Sequence, residues 1–428
     1  MKQEFIHSVT LNRALCKGCI NCIKRCPTQA IRVRGGKAII DPARCIDCAE
    51  CIRICPHHAK TAAADPLSVT ERFDYTIALP PPSFLGQFNR LPRPDLVVDG
   101  LLALGFDEVF EVGRAAELVS DATRRLITAG GQPLPLISSA CPAVVRLIRV
   151  RYPDLLPHLL PLAPPVEVAA RIAKRDAARR TGLAPEKIGC IFLSPCPAKI
   201  SYVRSPLGVE HSALDAAVSI KEIYPRMLWA MKQTPSEGKS QIGRAGVRWG
   251  ESTGESISLR GVDDYLAADG IENVIRVLED LEDEKLPGLR FVELNACAGG
   301  CVGGVLQVEN PFIAKAKMKQ LRRGLPEARS RLSSRQVPDF MRWDTPPAYA
   351  PVMELEGTRA EQMEKYSRLR TILAQLPGLD CGGCGAPSCE ALAEDVVRGR
   401  AKPEDCTVLM RRRLEELLQE RSRDDDQS

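Results

Sequence analysis

A chain of 428 residues with 44% hydrophobic content is long enough for two or three globular domains and is no disordered tail. Residues 1–60 carry 11 Lys and Arg against 4 Asp and Glu, a surplus of +7, while the remainder carries 48 against 50, or −2. A basic patch of this size can guide an acidic redox partner or merely keep a module in solution, and nucleic-acid binding is disfavoured because aromatics are only 5% and do not interleave with the charges.

The N-terminus has no apolar core of signal-peptide type, since Lys2, Glu4, His7 and Arg13 interrupt it. No run reaches the roughly 18 apolar residues of a membrane span; the best, Leu96 to Phe106, is short and contains Asp99. A cytoplasmic protein is expected, and 17 cysteines in a reducing compartment argue for metal ligation over disulfides.

The first module, residues 1–62, contains one pattern twice. Cys16, Cys19, Cys22 and Cys26 are spaced C-x2-C-x2-C-x3-C before Pro27, and Cys45, Cys48, Cys51 and Cys55 repeat this before Pro56. Three thiolates at this spacing wrap one 4Fe-4S cubane on a tight turn, and the fourth is carried to the other cluster. Cys26 is thus expected to complete the set of Cys45, Cys48 and Cys51, and Cys55 that of Cys16, Cys19 and Cys22. Zinc sites instead favour C-x2-C pairs a dozen or more residues apart. The module resembles bacterial two-cluster ferredoxins over all of its length, which implies a ferredoxin-like α+β fold.

From 75 to 343, short apolar runs alternate with amphipathic helical periods, which points to an α/β domain. Lys187–Leu193 and Leu289–Leu294 read as strands, each delivering cysteines just past its end, where an α/β sheet places its site. Ile271–Glu284 reads as an exposed helix. Asp344–Pro351, rich in Pro and Ala, reads as a linker. Residues 352–428 then give a charged helix over Arg359–Leu376, a cysteine loop, a helix over Glu390–Arg398 and a closing helix over Thr407–Arg423. The loop holds Cys381, Cys384 and Cys389, and Cys406 follows. Glycines at 382, 383 and 385 let backbone amides turn toward cluster sulfides. This small helical module resembles the 4Fe-4S domain of Rnf-type electron-transfer subunits; a zinc knuckle is the other reading of the same four cysteines.

Four of the five remaining cysteines lie in short segments of the middle domain: Ser-Ser-Ala-Cys141-Pro, Ser-Pro-Cys196-Pro-Ala-Lys, and Glu-Leu-Asn-Ala-Cys297-Ala-Gly-Gly-Cys301-Val-Gly-Gly. Cys190, inside an apolar run, is most simply a buried structural thiol. The three segments, in that order, resemble the three cluster-binding motifs of the iron-iron hydrogenase catalytic domain, and Gly105–Val112 with Ala115-Ala-Glu-Leu fits a segment leading toward its active site. The resemblance implies that Cys141, Cys196, Cys297 and Cys301 hold a 4Fe-4S cubane. It further implies that Cys301 bridges to a two-iron unit with CO and CN ligands, and that Lys199 donates to a cyanide. In the active family a proton-relay cysteine precedes the residue matching Cys141; here that place is Ala140, which neither donates nor accepts a proton.

Ser194 and Asn295 depart from methionine positions, and Ala115–Leu126 offers only Glu117 and Asp121 as relay carboxylates. Anchoring residues are kept while working residues are altered, a pattern resembling the sensory-type hydrogenases. Only 22 residues follow Cys406, so a separate signalling partner is expected. Three functions stay open: a hydrogen or redox sensor of low activity, a hydrogen-evolving or bifurcating component with another proton route, and an electron carrier or scaffold lacking the two-iron unit.

Overall fold

The computed structural model describes residues 7–233, 240–334 and 336–425; Lys2 and Glu4, which argue against a secretory leader, lie outside the described residues. Contacts divide the chain into two compact units. The first comprises Met1–Val9, Ile46–Ala49 and Ala62–Ala350, and the second Thr10–Cys45, Glu50–Thr61 and Pro351–Ser428.

The first unit is α/β. Its larger sheet is parallel and four-stranded, in the order Glu108–Val109, Tyr75–Leu79, Ile188–Ser194, Ala216–Ser219. All seven residues of Ile188–Ser194 are buried, the continuous apolar run of a strand covered on both faces. Alternation still sorts them: Ile188, Cys190 and Phe192 belong to one core and Ile191 and Leu193 to the other, just as Ile77 and Leu79 part from Ala78. A smaller parallel sheet runs Tyr265–Asp269, Phe291–Asn295, Leu136–Ile137.

Both strands expected from the apolar runs form, with ends displaced by a residue or two. The helix expected to be exposed, Ile271–Glu282, buries Ile271, Val274, Leu278 and Leu281, because its apolar residues recur at helical spacing and cover the small sheet. Cys190 is fully buried beside the Ala170 carbonyl, and burial pushes its thiol up to about 12, so it stays a neutral packing group.

In the second unit an antiparallel hairpin, Ile31–Arg34 with Lys37–Ile40, turns on Gly35 and Gly36, both at positive φ. The short helices Asn21–Lys24 and Glu50–Arg53 carry Cys22 and Cys51. Three helices follow at Arg359–Gln375, Cys389–Val397 and Thr407–Asp425, the first opened by a Thr358–Glu361 capping box and the second capped by Ser388. Leu369, Ile372, Leu392 and Val396 pack with Cys389 and Cys406 in their core. Among the described residues no helix is long and apolar enough to cross a membrane.

Candidate metal centres

In the first unit three loops leave the C-terminal ends of parallel strands, the position at which open α/β sheets hold ligands. Leu136–Ile137 leads to Cys141, Ile188–Ser194 to Cys196, and Phe291–Asn295 to Cys297 and Cys301. Cys141 and Cys196 each precede a helix whose first residue is proline, Pro142–Arg151 and Pro197–Arg204, so both cysteines sit at the N-terminal end of a helix. The loops press on one another. A Cβ at Gly304 would stand 2.3 Å from the Pro195 carbonyl oxygen, and one at Gly300, where φ is +84°, would stand 2.4 Å from the Ser252 amide nitrogen. Only glycine permits this approach.

Burial pushes the Cys196 thiol up to about 11, opposed by Lys199, and the charges of Cys301 and Cys141 reinforce the rise. These three sulfurs therefore share one site with the ammonium. Lys199 Nζ donates to Cys301 Sγ at 3.4 Å. Burial draws its pKa down, but the sulfurs of Cys301, Cys196 and Cys141 outweigh this and hold it above the ordinary lysine range. Lys199 and Cys301 line a cavity together with Ala140, Glu255, Glu293 and Asn295, closed by apolar Pro81, Pro165, Val112 and Phe192. A single fixed ammonium among dry walls and clustered thiols fits an anionic metal group.

Glu255 and Glu293 are cavity-lining carboxyls that sequence reasoning passed over. Both are buried. Glu293 is fully engaged: Oε2 accepts from the Ser256 amide and hydroxyl, both at 2.9 Å, and Oε1 from Asn295 at 3.0 Å. Glu255 accepts only from Ser138 Oγ, at 2.6 Å, and its other oxygen has no hydrogen-bond partner among the described residues. Burial raises both carboxyls, and for Glu255 the charge of Glu293 raises it further. Burial thus favours the neutral form of both, and of Glu255 more, since it has fewer donors to hold a charge. Ser138 Oγ also accepts from the Ala140 amide at 3.2 Å, which ties this acid to the wall where the resemblance expects a thiol.

A raised folded pKa means that the native state binds a proton on Glu255 more tightly than the unfolded chain. Its stabilisation is complete below the unfolded glutamate value and is lost as pH rises through the folded one, at up to about 1.4 kcal/mol per pH unit. Glu255→Gln should flatten that loss, and melting temperature measured against pH checks it; an unchanged profile would place the proton elsewhere.

The carboxylates expected on the helix Val112–Ala129 do other work. Glu117 accepts from the amides of Gly243, Gly246, Arg329 and Ser330, and Asp121 from Arg124, Arg125 and the Leu332 amide. They clamp neighbouring loops and do not line the cavity of Lys199. Ser194 Oγ likewise turns away, to the Cys196 carbonyl at 2.8 Å.

The two cysteine repeats, all of whose cysteines but Cys48 lie in the second unit, are structurally alike. Ala30 donates its amide to Cys26 Sγ at 3.2 Å and Ala59 to Cys55 Sγ at 3.4 Å, with Gln29 and His58 both at φ +49°. Cys22 is raised by burial, and it feels the charges of Cys19, Cys16 and Cys55. The structure thus gathers Cys55 with Cys16, Cys19 and Cys22. Thr28 donates to the Arg44 carbonyl at 2.6 Å, bringing the turn after Cys26 beside Cys45. In the C-terminal part Cys384 is raised by burial and feels Cys406, a Cβ at Gly383 would lie 3.6 Å from Cys381 Sγ, and the Cys389 amide donates to Asp380 at 2.6 Å. Cys389 and Cys406 are buried and Cys381 is exposed.

The family model "Iron only hydrogenase large subunit, C-terminal domain" matches residues 74–241 and 230–305, more than half of the chain. The chain belongs to the iron-only hydrogenase large-subunit family. A 4Fe-4S dicluster domain model matches residues 8–56 and an Fe-S cluster model residues 376–408, so this hydrogenase-family chain is an iron-sulfur protein. It is similar to the periplasmic [Fe] hydrogenase large subunit of Nitratidesulfovibrio vulgaris, at 27% identity over 73% of this chain and 89% of that protein. It is also similar to the nuclear prelamin A recognition factor of Mus musculus, at 24% over 62% of this chain and 68% of that one. In fold it is like a single-residue variant of the [FeFe]-hydrogenase HydA1 from Chlamydomonas reinhardtii, with a TM-score of 0.50 and 18% identity over 66% of this chain and 96% of that one.

Within this hydrogenase-family chain, Cys19→Ala should lower iron by about four atoms while the α/β unit stays folded, because a cubane needs four thiolates and the two units have separate cores. Iron content with circular dichroism checks this, and unchanged iron would refute the ligand assignment.

Proposed function

We propose that this chain is a redox-sensing member of the iron-iron hydrogenase family that meets hydrogen at low turnover. Cys141, Cys196, Cys297 and Cys301 would hold a 4Fe-4S cubane, and Cys301 would also bridge to a two-iron unit with CO and CN ligands. That unit, when bound, supplies hydride chemistry at iron. The chain supplies the surroundings. Lys199 orients by its fixed charge, the apolar walls exclude water, and Glu255 holds a proton on its carboxyl. The eight cysteines of residues 16–55 would carry two further clusters and Cys381, Cys384, Cys389 and Cys406 a fourth, so that electrons reach a partner protein. The +7 surplus of residues 1–60 favours an acidic partner, and a separate signalling protein would take the output.

The observation that carries this reading is Ala140. It lines the cavity of Lys199 and Cys301, where an active relay needs a group that takes and gives a proton. A hydrogen-evolving component is the second reading, favoured by the Ser138–Glu255 pair as another proton route. A third reading, a carrier or scaffold holding the cubane alone, is favoured by the likeness to a probable cytosolic Fe-S cluster assembly factor of Drosophila grimshawi, at 22% identity over 41% of this chain and 48% of that one.

Infrared spectra of anaerobically matured protein with a hydrogen-evolution assay separate the three. Carbonyl and cyanide bands with little evolution are expected. Bands with high evolution would replace the sensor by the enzyme, and absent bands would leave the carrier.

A further inference from the structure

The loop Asp380–Ser388, which carries Cys381 and Cys384, is built onto the helix that carries Cys22. Lys24, the last residue of that helix, donates through Nζ to the Asp380 carbonyl at 2.6 Å and to the Pro387 carbonyl at 3.0 Å, so one ammonium spans the loop from end to end. Between these anchors Gly382 sits at φ +80°, and a Cβ there would lie 3.4 Å from Ile23 Cδ1 and 3.5 Å from Ile20 Cγ2, ordinary packing distance with no residue in between. At Gly385 the approach is closer still. A Cβ there would stand 2.0 Å from the Val33 carbonyl oxygen, and the Val33 amide donates to the Gly385 carbonyl at 2.8 Å.

Charge locks the same seam. Asp395, with 6% of its side chain exposed, accepts from Arg32 Nε and Arg34 Nη2, both at 2.7 Å, while Arg34 Nη1 donates to the Cys384 carbonyl at 3.0 Å. Glu394 pairs with Arg44 behind them, at 12% and 5% exposure. A carboxylate this deep persists only with its partners in place, since removing one leaves a buried uncompensated charge. These partners stand more than 340 residues apart in sequence and still meet on the loop Asp380–Ser388 and the helix that follows it.

We propose, on the reading that both cysteine sets hold clusters, that Lys24, Arg34 and Asp395 dock the C-terminal cluster loop directly against the cluster of Cys16, Cys19, Cys22 and Cys55, making the second unit one electron-transfer body with its outer terminal at exposed Cys381. One electron leaves one cluster as it arrives at the other, with no bond or proton moved, and a one-electron reductant feeds the exposed end. Lys24, Arg34 and Asp395 are positioning residues.

Full-length protein reduced with sodium dithionite and read by electron paramagnetic resonance tests this. The wild-type spectrum should show magnetic interaction between the C-terminal signal and a ferredoxin signal. Cys389→Ser and Cys19→Ser should each abolish that interaction, and Cys48→Ser should leave it. Asp395→Asn should keep wild-type iron and lose the interaction, with Asp395→Glu retaining it; Lys24→Gln, on an exposed side chain, gives the same reading if Asp395→Asn fails to fold. Interaction that follows Cys48 in place of Cys19, or that survives both Asp395→Asn and Lys24→Gln with iron intact, overturns the docking. Loss of iron already in the wild type sinks the cluster assignment instead, which the iron count distinguishes.

Discussion

Ala140→Cys is expected to raise hydrogen evolution about 10²-fold in matured protein, the low end of what a positioned proton-transfer group contributes. Ala140 is half-buried on the wall that also carries Lys199 and Cys301, and its methyl offers no proton. Its own amide donates to Ser138 Oγ, which donates to Glu255. A thiol at 140 would add a donor and acceptor on the cavity side of that chain, ahead of an acid already holding a proton. Rates of evolution by wild type and variant at equal iron loading decide it. A wild type already fast, or a variant no faster, would remove the sensory reading, because proton delivery would then not be the step that Ala140 withholds.

What the sequence revealed and what it withheld follow from the range of the interactions. Cysteine spacing is local, so the two repeats could be read directly; the three middle segments were legible through their resemblance to a family's motifs, and the two strands that deliver Cys196, Cys297 and Cys301 showed as apolar runs. The strand that precedes Cys141 did not show, because Leu136–Ile137 is only two residues long. Glu255 lies in Thr-Gly-Glu-Ser, a stretch with no spacing signal, and it becomes a functional candidate only when folding sets it 2.6 Å from Ser138, 117 residues away. Glu293 was visible next to its cysteines, but its burial was not. Glu117 and Asp121 show the converse. Their helical positions look like relay sites, yet amides and guanidinium groups from distant loops claim both. The compact unit joining residues near Cys16–Cys55 with Pro351–Ser428 was equally hidden, because the charges of Arg32 and Arg34 reveal a partner at Asp395 only in three dimensions.

Lys199→Met should empty the middle site while sparing the others. The ammonium touches Cys301 Sγ at 3.4 Å and is held charged by three sulfurs, and it opposes the rise that burial imposes on the Cys196 thiol. Removing one member of a buried charge pair costs about 3–5 kcal/mol. At roughly 1.4 kcal/mol per factor of ten, this weakens cluster retention by about 10²- to 4 × 10³-fold. Iron should then fall by about six atoms, four from the cubane and two from the two-iron unit that Cys301 would bridge to it, and hydrogen evolution should drop below detection. Lys199→Arg should not restore it, because a planar fork cannot replace a compact ammonium aimed at one sulfur. The dithionite-reduced signals of the clusters held by Cys16, Cys19, Cys22 and Cys55 and by Cys381, Cys384, Cys389 and Cys406 serve as an internal control, since those ligands belong to the other unit. Full iron in Lys199→Met, with infrared bands at their wild-type positions, would mean that Lys199 is a packing residue and that the thiolates find their compensation elsewhere.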